Sequence, residues 1–248
     1  MGLLNLNGLT VRYGGVTALD NVTVDVPEGC LFGLIGPNGA GKTTMIDAIT
    51  GMARYSGSVS FGGQVIDAWP PHRRSHAGLV RTFQSLELFT ELTVRENLQT
   101  YDGIKHGKAA DQAVDEALET MSVAWAADLY PASLSYGQAR LVSVARALAA
   151  KPRLLLLDEP AAGLDADESQ WLGQRLREVT ARGDVTVLLV DHDVDLIMAV
   201  CDEILVLNFG EEIARGTPAE VQAHPEVARA YLGTDTTAPP ENHEEAVI

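Results

Sequence analysis

Cysteine is nearly missing from this sequence: 248 residues contain two, Cys30 and Cys201. No metal-ligand spacing exists between them, and a core of this size needs no disulfide. Both flank apolar runs and read as small buried hydrophobes. Long apolar runs are missing too; none approaches the ~18 residues that a membrane-crossing helix needs. The N-terminal stretch MGLLNLNGLTVRYGG lacks a basic segment and an export-signal core, which predicts a chain that stays in the cytoplasm. Positive charge is scarce. Eighteen Lys and Arg face 34 Asp and Glu, a net charge of −16. Broad contact with DNA or RNA draws most of its affinity from basic surfaces, so no nucleic-acid partner is expected.

What is present begins with GPNGAGKTT, residues Gly36, Pro37, Asn38, Gly39, Ala40, Gly41, Lys42, Thr43 and Thr44. An apolar run, Cys30 to Ile35, leads into it, and a helical run, Met45 to Thr50, leads out. A loop of this pattern at a helix start presents backbone N–H groups where the helix dipole also favours negative charge. The glycines permit the unusual dihedrals that let backbone close on phosphate oxygens. Lys42 is placed to reach the β- and γ-phosphates of a nucleoside triphosphate, and the Thr43 hydroxyl to ligate Mg²⁺.

The remaining sequence predicts an α/β fold. Residues 2 to 26 alternate as strands around Gly14-Gly15, and Tyr13 ends the first of them, where an aromatic ring can stack on a base. Ser56 to Gly63 reads as strand and turn, and Leu79 to Gln84 as a strand that delivers Gln84 at its end. From about residue 86 to 149 the pattern is helical, with Ala113, Val114, Ala117, Leu118 and Met121 at helical spacing. RLLLLDEP then restores the core as a strand covered by helices on both faces. A further helix is capped at Asp165 or Asp167 and stops at Gly183. A buried strand, VTVLLVDH, a helix and a hairpin turning near Asn208-Phe209-Gly210 follow. Residues 234–248 hold Pro, Thr and carboxylates without periodicity and are expected to form a disordered acidic tail.

Asp158 stands where a buried strand emerges at the C-terminal edge of a parallel sheet, the usual ligand-binding edge. It can hold Mg²⁺, and its neighbour Glu159 can face an attacking water as general base. LSYGQ, Leu134 to Gln138, opens a basic amphipathic helix and forms a second anion-receptive helix start. With these residues in order, the chain resembles the ATP-binding cassette family over about residues 2 to 233. GPNGAGKTT resembles its Walker A, LLLLDE its Walker B and LSYGQ its signature, with Tyr136 where LSGGQ has glycine. Gln84 matches the Q-loop, Asp165 the D-loop, His192 the switch histidine and Tyr13 the adenine-stacking aromatic.

The resemblance implies a P-loop NTPase core, a RecA-like mixed sheet, with an N-terminal antiparallel β-subdomain and an inserted α-helical subdomain. It implies an ATPase using ATP and Mg²⁺. Glu159, His192 and Gln84 would be catalytic, and Thr43, Gln84 and Asp158 would hold the metal. Ser135, Gly137, Gln138 and Asp165 would close over nucleotide bound by a second cassette chain. The chain would sit peripherally at the cytoplasmic face of the membrane, with transmembrane permease subunits and an extracytoplasmic substrate-binding protein completing the assembly. RTFQSLELFTELTVRENL, HDVDLIMAVCD and GTPAEVQAHPEVARAYLG resemble the branched-chain amino-acid uptake group. Lipopolysaccharide-export ATPases share part of this pattern, and cassettes acting in repair or translation form another class. Phe83, Leu86, Leu88 and Phe89 are the candidates for a groove that receives the permease.

Overall fold

The computed structural model describes residues 2–101 and 107–232. The expected acidic tail and the last residue of the expected cassette domain lie outside them. Strands β1 (Leu4–Tyr13) and β2 (Val16–Val26) form a hairpin turning at Gly14-Gly15, and β3 (Leu31–Ile35) leads through the glycine-rich loop into helix α1 (Lys42–Thr50). Next come β4 (Ser56–Phe61), β5 (Gln64–Val65), helix α2 (Pro71–His76) and β6 (Leu79–Arg81). Helices α3 (Val94–Gln99), α4 (Lys108–Thr120) and α5 (Tyr136–Ala149) precede β7 (Leu154–Asp158). The chain closes with α6 (Ala166–Ala181), β8 (Thr186–Val190), α7 (Val194–Val200), β9 (Glu203–Asn208), β10 (Glu211–Gly216), α8 (Pro218–Gln222) and α9 (Pro225–Leu232).

These strands build two sheets. One is antiparallel, in the order β2-β1-β4-β5; the other runs β10-β9-β3-β8-β7-β6 and is parallel except at its β10 edge. Because β9, β3, β8, β7 and β6 are parallel, the loops after all five emerge at one edge. That edge collects the functional residues.

The leucines of β7 explain how the layers meet. Successive strand residues face opposite sides. Leu155 and Leu157 pack with the helical core of α3 to α7, whereas Leu154 and Leu156 pack with α1 and the antiparallel sheet. Burial on both faces therefore holds, but the expected cover of helices on both faces does not: a sheet and one helix fill the second side. One further expectation is corrected, and one left between two residues is resolved. Strand β6 ends at Arg81, so Gln84 stands three residues beyond it in a loop. The cap of α6 is Asp165, whose side chain accepts from Glu168 N while Glu168 reaches back, a reciprocal box that satisfies two otherwise orphaned N–H groups. The Phe209-Gly210 turn falls where expected, both residues adopting positive φ as a two-residue hairpin turn demands.

Candidate functional site

Backbone of β2 and of the β9–β10 turn presses on the loop from Gly36 to Thr44 from behind. At Gly41, φ is +102°, and a Cβ there would lie 2.6 Å from the Ala18 carbonyl oxygen. Gly210 N donates to the Ala40 carbonyl at 3.0 Å, tying the β9–β10 turn to the loop. Gly39, with φ +80°, has open space where a Cβ would stand, so one side of the loop is free to receive a ligand. Asn38 and Thr43 are exposed, Pro37 and Thr44 half-buried, and Ala40 buried. Lys42 is 7% exposed and donates to the Gly36 and Pro37 carbonyls at 2.6 and 3.1 Å. Burial lowers its pKa, against the pull of the Glu159 and Asp158 carboxylates. From the C-terminal helix α9, Tyr231 meets the Gly36 backbone, and burial pushes its phenol up to about 12.

Three neighbouring strand ends place the next group. Glu159 follows β7, and each oxygen of its carboxylate is engaged. Gln84 Nε2, from the loop after β6, donates to Oε2 at 2.8 Å. His192 Nε2, after β8, stands 2.5 Å from Oε1. The Glu159 side chain is 15% exposed and that of His192 52%. Glu159 itself has φ +52°, a conformation costing a non-glycine residue roughly 1–3 kcal/mol. A bond from Glu159 N to the Val190 carbonyl at 2.7 Å holds it there.

Several residues of this site were not singled out by sequence reasoning. Arg81 Nη2 donates to Asp158 Oδ2 at 2.9 Å and Nη1 to Asp47 Oδ1 on α1, so one guanidinium ties β7 to the helix that follows the loop. Asp191 accepts from Ala161 N and Asp193 N, each at 3.0 Å, and clamps the segment carrying His192. Burial raises its pKa, although backbone donors oppose that shift. Asp193 caps α7 and accepts from the Ser169 hydroxyl. The carboxylates on either side of His192 in VDHD were the legible signal; Arg81 in RTFQ had none, because both of its partners are remote in sequence.

Ser135, Gly137 and Gln138 lie apart from this group. Ser135 caps α5 and forms a reciprocal box with Gln138, and a Cβ on Gly137 would press on Glu168 and Leu164 of the α6 start. Among the described residues, the side-chain hydrogen bonds of Ser135, Gln138 and Asp165 stay within their own helix starts and do not reach the loop Gly36–Thr44. Tyr13 is 53% exposed at the end of β1. Behind Gln84, a cavity of about 600 Å³ is lined by Arg81, Phe83, Leu88, Phe89, Tyr101 and Arg146, among others. Leu86, expected there, is not part of its wall; its carbonyl accepts from Arg146 instead.

Comparison with known proteins gives the family. Residues 19–162 match the ABC transporter family, and residues 211–237 match the segment described as branched-chain amino acid ATP-binding cassette transporter. The chain is 38% identical to the high-affinity branched-chain amino acid transport ATP-binding protein LivG of Salmonella typhimurium, covering 93% of this chain and 98% of that one. It is 36% identical to the lipopolysaccharide export system ATP-binding protein LptB of Escherichia coli, over 95% and 99%. Among solved structures, the ADP conformation of MJ1267, an ATP-binding cassette of an ABC transporter, superimposes with a TM-score of 0.84 at 29% identity, covering 94% of this chain and 99% of that one. Extent of match, fold and site together lead to one conclusion: the chain belongs to the ABC transporter family, as one of its nucleotide-binding ATPase subunits.

Proposed function

We propose that this chain hydrolyses ATP to drive import of branched-chain or related amino acids through separate membrane subunits. The observation that carries the catalytic part is the Glu159 carboxylate, held between Gln84 and His192 at the ends of adjacent strands. A carboxylate oriented on both sides is a general base ready to take a proton from water, with no reorganisation needed at the moment of reaction. The match of residues 211–237 to the branched-chain segment favours amino-acid import over lipopolysaccharide export.

The residues present fit Mg²⁺ and a nucleoside triphosphate. Thr43 offers an exposed hydroxyl on the first turn of α1, Asp158 a carboxylate oriented by Arg81, and Gly39 an open backbone. Thr43, Asp158 and Gln84 would hold the ion, which would neutralise phosphate charge. Lys42 would exchange its carbonyl partners for phosphate oxygens, and Tyr13 would stack on the base. Ser135, Gly137, Gln138 and Asp165 would serve nucleotide held by a second cassette chain, consistent with their separation from the loop of their own chain. The cavity beside Phe83 and Phe89 would receive a cytoplasmic segment of the permease. No helix among the described residues is long and apolar enough to cross a membrane, so attachment would be peripheral. An extracytoplasmic binding protein would deliver the substrate.

Glu159→Gln tests the mechanism. It is expected to bind ATP, to release phosphate at least about 100-fold more slowly, and to accumulate an ATP-bound dimer. Phosphate release at the parent rate would overturn the assignment. For the substrate, uptake of labelled leucine by cells expressing the chain with its permease is expected to vanish on Lys42→Ala. Unchanged leucine uptake, with lipopolysaccharide export lost instead, would select the other reading.

A further inference from the structure

Tyr136 is the residue at which the LSYGQ stretch departs from the common signature, and its surroundings are unusually specific. Its ring lies on Gly163, in the turn between Glu159 and α6: a Cβ on Gly163 would stand 2.6 and 2.7 Å from two ring carbons. Only a glycine admits a ring so close, and Gly163 also adopts φ +82°. The Tyr136 hydroxyl accepts from Arg140 Nη2 at 2.7 Å, and the guanidinium lies 5.3 Å from the ring centre. Arg140 is 2% exposed, and its Nη1 donates to the Gln84 carbonyl at 2.9 Å and reaches the Phe83 carbonyl at 3.5 Å. One buried cation therefore bridges the loop that carries Gln84 and the residue between Ser135 and Gly137.

We infer that Tyr136 is a positioning residue that makes the start of α5 and the Gln84 loop move as one body. Phe83 lines the cavity proposed for the permease, and its carbonyl faces the same guanidinium. A partner that shifts the Phe83–Gln84 backbone pulls on Arg140, and Arg140 pulls on Tyr136. The seat on Gly163 converts that pull into a displacement of Ser135 and Gly137 relative to α6, against which Gly137 is packed. The inference rests on the two-chain reading above, in which Ser135 and Gly137 face nucleotide on a second chain. It concerns how their approach is set, not which atoms touch the phosphate.

The test uses the full chain in the Glu159→Gln background. ATP-driven dimerisation is followed by analytical ultracentrifugation, and ATP binding to the separate chains with a fluorescent analogue. Tyr136→Phe keeps the ring and loses the acceptor; it is expected to weaken dimerisation about fivefold while ATP binding stays within about twofold. Arg140→Lys, which keeps the charge but not the bridge, is expected to act in the same direction. Gly163→Ala should weaken dimerisation strongly beside Tyr136 and much less in Tyr136→Gly, since the backbone strain is common to both and only the ring contact differs. Dimerisation of Tyr136→Phe at the parent constant, or equal Gly163→Ala penalties in the two backgrounds, would overturn the inference. A drop in ATP binding matching the drop in dimerisation would reduce Tyr136 to a folding role and overturn it too. Failure of the Glu159→Gln parent to dimerise with ATP would instead sink the two-chain reading itself.

Discussion

The two sides of the six-stranded sheet are built by different means. Around the glycine-rich loop, on the side of α1 and the antiparallel sheet, aliphatic residues fill the space and backbone meets backbone, as Gly41 and Gly210 do against Ala18 and Gly36 against Leu207. Farther along that side, however, buried Arg74 of α2 donates to the Ala48 and Ile49 carbonyls of α1. On the helical side, long polar side chains cross from one segment to the carbonyls of another. Asn97 donates to Phe89, Leu92 and Thr93, Arg140 to Gln84, and Arg146 to Glu87 and Leu86. Close backbone contact leaves no alternative arrangement, because interiors pack at crystal-like density. Side-chain bridges to carbonyls can re-form after a small shift. The loop side is thus built to stay fixed, and the helical side is built to be repositioned.

The sharpest way to break this contrast is Gly41→Ala. Its Cβ would collide with the Ala18 carbonyl and with Leu19 Cδ2 at 2.8 Å, at φ +102°. About 3 kcal/mol or more of destabilisation is expected, together with loss of nucleotide binding. Thermal unfolding would show a fall of at least about 6 °C. A variant that melts and binds ATP like the parent would remove the case for a fixed side. Asn97→Ala probes the other side. Asn97 is fully buried, and its truncation is expected to cost about 2 kcal/mol by leaving several backbone groups unpaired. ATP affinity of the isolated chain should nevertheless stay within about twofold; a tenfold loss, measured by analogue binding, would show that the two sides are one unit. Thr93→Ala removes the reciprocal box at the start of α3 and should cost about 1 kcal/mol, read as a shift of about 2–4 °C in melting.

The smallest effect comes from the thiols, one in each core: Cys30 packs with the loop side and Cys201 with the helical side. Burial pushes Cys30 up to about 12, and Cys201 is raised likewise. The Cys30 thiol, raised in the folded state, contributes stability that is complete below its ordinary value of 9.0 and is lost progressively as pH rises from there to about 12. Near pH 8 both should therefore resist alkylation, and labelling should track opening of the structure. Mass spectrometry of partly labelled chain is expected to find Cys201 modified before Cys30. Equal rates would mean that both sides open together.

Local chemistry was legible in the sequence and long-range chemistry was not. The strand–loop–helix around Lys42, the apolar spacing of α4 and the cap at the start of α6 each depend on residues within a few positions of one another. The cover on the second face of β7 could not be read, because Leu154 and Leu156 look the same whether a helix or a sheet lies above them. The end of β6 could not be read for a similar reason: Thr82 N still reaches the Leu156 carbonyl, and the Arg81 guanidinium pairs with Asp158 and Asp47, partners that no local pattern reveals. At the site, Gln84, Glu159 and His192 were named separately by motif. That they share one carboxylate follows only from the strand order β8-β7-β6.

That order makes the sheet a ruler. Neighbouring strands stand roughly 4.8 Å apart, so the three loops leave the edge at even intervals with Glu159 in the middle. β6 and β8 are not paired with each other; β7 lies between them and pairs with both. The Gln84 side and the His192 side meet at the two oxygens of that single carboxylate. Glu159 thus stands where two inputs would be wired together, Gln84 holding one oxygen and His192 the other.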